Sequence, residues 1–143
     1  MRASHFAAFD AAVKVAVPAL SSLVFDGDAP LNGDGTVRRA TYLVLHDMGF
    51  DRQDDDRLTV TVQDAADGRY RVVVRVVATT RGGVRATIDA LKTGLVGVRL
   101  TIAGRFCQPI EIDPGPYPIE RDDDVKPPIF YCDLDFTFRS QRA

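Results

Sequence analysis

From Ile129 to Phe138 the chain alternates with a period of two, and this stretch restricts the possible folds more than any other. Phe130, Cys132, Leu134, Phe136 and Phe138 fall on one side; Ile129, Tyr131, Asp133, Asp135 and Thr137 fall on the other. Successive side chains of a strand point to opposite faces, so the run reads as a β-strand with one core face and one wetter face. A second alternation supplies a neighbour. Tyr70, Val72, Val74, Val76 and Ala78 share one face, while Arg69, Arg71 and Arg75 share the other with Val73 and Val77. That mixed face implies partial cover, by a helix or a neighbouring subunit. Upstream, Leu58, Val60 and Val62 alternate with Thr59, Thr61 and Gln63, and the turn that follows ends in Asp67-Gly68, a hairpin dipeptide.

The covering layer is helical. Phe6, Phe9, Val13 and Val17 recur at spacings of three and four, with Ser4 as a capping residue and Pro18 as the stop. Asp10 and Lys14 can pair on another face. A second helix is expected from about Thr80 to Thr93, through Val84, Ile88, Leu91 and Leu95, with Gly94 or Gly97 ending it. Short strands are expected at Leu20 to Phe25, Thr41 to Leu45 and Val98 to Ala103, with an extended piece at Ile110 to Ile112. Asp26 to Thr36, His46 to Arg57 and most of Gly104 to Lys126 read as loops. Only one crossover is helical. The expected class is therefore α+β: one domain over residues 1–143, a mainly antiparallel or mixed sheet with two helices on one face.

Size and charge narrow the function. A chain of 143 residues buries about 68–70% of its unfolded surface and needs no staple. The net charge of -2 argues against general phosphate binding, which calls for a basic surface. Asp10 and Lys14 interrupt what would be the apolar stretch of a signal peptide, and no apolar run approaches the ~18 residues of a membrane helix. The expected setting is a cytoplasm, where Cys107 and Cys132 stay thiols.

Catalytic signatures are missing from the sequence. There is no P-loop, no Gly-x-Ser-x-Gly and no His-Glu-x-x-His. His5 and His46 stand alone, and Cys132 falls on a core face. The loop from Asp26 to Gly35 resembles a calcium loop but places Pro30 and Val37 where the fifth and twelfth ligands belong. Asp54-Asp55-Asp56 reads as a solvated run. The sequence thus calls for no enzyme, cofactor or metal.

One segment stands apart: Arg121-Asp122-Asp123-Asp124-Val125-Lys126-Pro127-Pro128-Ile129-Phe130-Tyr131. The two prolines are expected to hold it extended. Three adjacent carboxylates repel one another, and arginines on a neighbour would relieve them. This box, feeding a terminal alternating strand, resembles the C-terminal end of tail terminator proteins of long-tailed phages. The looser order is similar too: an N-terminal helix, a β-rich middle, one inner helix, then box and strand.

The resemblance implies a structural virion protein, a six-fold ring assembled in the bacterial host cytoplasm and sitting at the head-proximal end of the tail. Its partners would be copies of itself, the major tail-tube protein and a head–tail connector protein, with no membrane and no nucleic-acid sequence recognition. Arg121, Asp122, Asp123, Asp124, Lys126, Pro127, Pro128 and Tyr131 would be interface residues, and Phe130, Phe136 and Phe138 core. Arg69, Arg71 and Arg75 would meet the acidic patch of an adjacent subunit. A head–tail connector or other minor tail protein is the alternative within this class; a small ligand-binding or regulatory domain is the alternative outside it.

Overall fold

The computed structural model of the chain describes residues 2–50 and 68–143. The run Asp54-Asp55-Asp56, the strand expected at Leu58 to Gln63 and the hairpin turn leading to Gly68 lie outside the described residues. The elements are α1 (Arg2–Ala16), a 3₁₀ turn (Pro18–Leu20), β1 (Val24–Asp26), β2 (Tyr42–Phe50), β3 (Gly68–Ala78), α2 (Arg81–Leu95), β4 (Arg105–Cys107), β5 (Glu111–Ile112), β6 (Glu120–Asp122) and β7 (Ile129–Arg142). The fold is α+β, as expected.

β3 is central. It runs antiparallel to β2 on one side and to β7 on the other, while β1 joins β2 in parallel. The far edge of β7 is occupied piecewise: β6 pairs with its start, β5 with its middle and β4 with its end. Short edge strands of this kind leave little open ladder for stray pairing.

Both helices pack on one face of the sheet. Tyr70, Val72, Val74 and Val76 of β3 and Leu134 and Phe136 of β7 are fully buried there against Phe9 and Val13 of α1 and Val84, Leu91 and Leu95 of α2. Each such side chain contributes about 1.5–3 kcal/mol by leaving water. The opposite face carries a smaller cluster at one end, where Tyr42, Val44, Val77 and Ile129 lie under Phe25, Val37, Ala40 and Val125. The chain's own loop covers this end, so neither a helix nor a second subunit is needed there. It also buries Ile129, which alternation alone places on the wetter side.

Several boundaries differ from expectation. α1 begins at Arg2, so Ser4 lies inside its first turn rather than capping it. Arg2 is held by Asp47 at 2.9 Å and His5 is buried, which extends the helix toward the N-terminus. Leu20 belongs to the 3₁₀ turn and not to β1. β2 continues through His46 to Phe50 because β3 keeps pairing with it, past a bulge between Asp47 and Gly49. α2 is capped by the Thr80 hydroxyl, which accepts from the Gly83 amide at 3.0 Å. Gly94 sits within α2 and does not end it; Gly97, at φ +85°, follows the helix. The alternating segment Val98 to Ala103 forms no strand. Its Leu100 and Ile102 are buried, but the Val98 carbonyl accepts from Ile110 at 2.8 Å and the Ile102 carbonyl closes a turn on Arg105 at 3.0 Å.

Candidate interface: the helix-free sheet face and the acidic hairpin

Away from its covered end, the helix-free face is a lattice of charges set by strand register. Arg75 lies directly opposite Asp133 and grips it with two bonds, Nε to Oδ1 at 2.8 Å and Nη2 to Oδ2 at 3.0 Å. Arg71 faces Thr137 but reaches diagonally to Asp135, with Nε 2.9 Å from each carboxylate oxygen. The hydrogen bond to Asp133 and its negative charge hold the Arg75 guanidinium above its ordinary pKa. Two of the three arginines expected to meet a neighbour are thus engaged by acids of their own chain.

The box from Arg121 to Tyr131 is not straight. β6 folds back on β7 so that Glu120, Arg121 and Asp122 lie opposite Tyr131, Phe130 and Ile129. The tip is closed by side chains. Asp122 Oδ1 accepts from the Asp124 amide at 3.0 Å, and Arg121 Nε donates to Asp123 at 2.6 Å. The prolines therefore serve a hairpin turn rather than an extended arm, because Asp122 can satisfy the backbone of the reversal. Arg39 Nε donates to the Pro127 carbonyl at 3.2 Å and ties the hairpin to the loop over the small core. Asp123, Asp124, Lys126 and Pro127 are exposed, and Asp122 and Pro128 are half-buried.

Hairpin and lattice meet at Tyr131. Its ring lies under the Arg75 guanidinium at 4.6 Å, and its hydroxyl donates to Glu120 at 2.7 Å. That bond raises the Tyr131 pKa above its usual value. Burial raises the Tyr42 phenol, and the Asp122 carboxylate adds to the effect. Of the residues singled out by sequence, Arg75 and Tyr131 touch, as do Arg121 and Asp123. Arg69 stands apart at the far end of the face, opposite Arg139. Phe136 and Phe138 are core as expected, whereas Phe130 is half-buried with Arg81 over its ring at 4.9 Å.

Sequence reading passed over Glu120, Asp133, Asp135 and Arg139. Alternation places the two aspartates on the wet side of a strand; only register sets Asp133 opposite Arg75 and Asp135 diagonal to Arg71.

Beneath the helices lies a buried polar knot. His5 Nε2 is 2.7 Å from Ser140 Oγ, which also accepts from Arg105 Nε at 2.9 Å. The His5 ring is packed by Phe50, Tyr70 and Phe138. The pair is buried, and together with Arg105 it links β4, β7 and α1. Both cysteines are buried free thiols, and burial raises the Cys132 pKa. Among the described residues no cluster of His, Cys, Asp and Glu could hold a metal, and no helix is long and apolar enough to cross a membrane.

No family model matches the chain, and no curated protein matches it. Its fold is similar to that of a chain from the virion of a native gene transfer agent particle, with a TM-score of 0.61 and 20% identity over 94% of this chain and 95% of that one. A second solved structure is similar at a TM-score of 0.61 and 16% identity, covering 100% of this chain and 97% of its own.

Proposed function

We propose that this protein is a structural component of a phage or phage-like virion that completes the tail: it caps the tail tube, ends its polymerisation and presents the surface to which the head connector joins, as a closed six-fold ring. The likeness in fold to a gene transfer agent virion chain, nearly end to end in both molecules, is the observation that supports this reading most. The acidic hairpin and the Arg–Asp lattice support it as well. They form a charged, solvent-facing surface outside the core, suited to contacts that must be specific and reversible during assembly. A closed ring with unlike faces explains how growth can stop, since one face matches the tube and the other does not.

The test is the tail-length distribution in a lysate of the parent particle with this gene disabled, measured by negative-stain electron microscopy. Overlong or ragged tails beside unattached filled heads are expected. Tails of normal length that fail to join heads would move the protein to the connector group, and normal particles would end the structural reading.

A further inference from the structure

Arg69 and Arg139 are cross-strand partners in the β3–β7 ladder. Side chains so placed have Cβ atoms about 4.5–5.5 Å apart, and like charges there are destabilising. Elsewhere on this face the sheet solves the problem by register, giving Arg75 and Arg71 an aspartate each. Here it does not: among the described residues neither Arg69 nor Arg139 has an ion-pair partner. The two arginines instead line a cleft of about 480 Å³ with Gln108 and Gln141, in which Glu111 is the one carboxylate. A second hollow of about 470 Å³, lined by Arg69, Arg71, Glu111, Asp113 and Asp135, is by contrast charge-matched, with Arg71 held by Asp135. A positively charged, hydrogen-bonding recess on an otherwise charge-matched sheet is built to take carboxylates from outside.

The same chain carries a complementary element. The hairpin tip presents Asp123 and Asp124 to solvent. The Arg121–Asp123 pair is 54% and 71% exposed and so is weakly held and exchangeable. Tip and cleft lie at opposite ends of β7. Tyr131, at the hairpin end, and Arg139 are separated by roughly 26 Å of strand at ~3.3 Å per residue. A tip cannot enter the cleft of its own chain. It can enter that of the next, and repetition of a head-to-tail contact yields a ring or an open filament.

We propose that the Arg69–Arg139 cleft receives the Asp123–Asp124 hairpin tip of a second copy, and that this contact joins subunits. The inference rests on the self-assembling reading above and names its contact. Mass photometry of the purified full chain tests it. The wild type should form a discrete oligomer that dissociates as salt is raised, since exposed charge contacts are screened. Arg69→Gln with Arg139→Gln, which preserves size and polarity, should weaken assembly about tenfold or more.

Charge reversal supplies the decisive arm. The pair Arg69→Glu with Arg139→Glu and the pair Asp123→Arg with Asp124→Arg should each stay monomeric while keeping the wild-type circular dichroism. Mixed in equal amounts they should assemble, because each tip then matches the other variant's cleft. Reversed variants that assemble alone, or a mixture that stays monomeric, would overturn the contact while leaving self-assembly intact. A wild type that remains monomeric would overturn it too, and the virion reading would still be decided separately by tail length.

Discussion

The Cβ that Gly94 lacks would sit 2.5 Å from Cβ and 2.8 Å from Cα of Ala16, so α2 meets α1 backbone against backbone. Neither atom of Ala16 is the free end of a flexible side chain, and the helices would have to separate to admit a methyl group. Alanine usually gains about 1 kcal/mol over glycine inside a helix. Here overpacking, at about 1–3 kcal/mol, should outweigh that gain. Gly94→Ala is expected to lower the thermal midpoint. Gly82→Ala, where nothing lies within 4 Å, is expected to raise it. If both substitutions stabilise, the helices do not cross this closely.

The Arg75–Asp133 pair looks strong by distance, yet both side chains are 42% exposed. Screening and lost side-chain entropy limit such pairs to about 0.2–1 kcal/mol. A double-mutant cycle with Arg75→Ala and Asp133→Ala, followed by urea denaturation, should return a coupling within that range. A coupling of several kcal/mol would make the lattice part of what holds the sheet together, rather than a surface feature.

Ser140→Ala removes the hydroxyl shared by His5 and Arg105 at a buried site. Buried polar groups left without that partner cost about 1–3 kcal/mol. The expected loss is of that size, read as a lower denaturation midpoint. A neutral result would mean that water enters and replaces the hydroxyl.

Alkaline pH should destabilise the fold. Burial raises the pKa of Tyr42, Tyr70 and Cys132, and pushes Tyr117 up from 10.0 to about 12. Each group is neutral when protonated. The unfolded chain therefore releases these protons at lower pH than the native one. Their contribution is fully present below the unfolded values and fades as pH rises through the folded ones. The urea midpoint should fall progressively above about pH 9–10, the range in which exposed thiols and phenols begin to ionise. A midpoint unchanged up to pH 11 would contradict the burial of these groups.

Both thiols are buried, so neither Cys107 nor Cys132 should react with a bulky disulfide reagent in the native state. Reaction should appear only with urea, on the timescale of unfolding. Rapid labelling without denaturant would show that the strands carrying them open locally.

Local periodicity was a good guide within β3, α2 and most of β7, but failed at the start of β7, where Ile129 is buried and Phe130 half-buried. The alternations at Tyr70 to Ala78 and at Cys132 to Phe138, and the helical spacing of Val84, Ile88, Leu91 and Leu95, all select residues that are buried. It misled at Val98 to Ala103, where the same alternation buries Leu100 and Ile102 in a segment whose backbone bonds turns and loops instead of a neighbouring strand. Alternation reports burial; a strand also needs a partner at the right distance. The acidic box stood out by composition, but its reversal into a hairpin depends on β7 being free to accept β6.

What the sequence determined by itself was which faces turn inward, because helical and extended periods are properties of a few consecutive residues. Tertiary structure alone decided which arginine meets which acid. Arg75 finds Asp133, Arg71 finds Asp135 and Arg69 is left facing Arg139, all through the register of two strands more than fifty residues apart. Register is set by packing across the whole sheet, and a shift of one residue would turn these side chains to the other face.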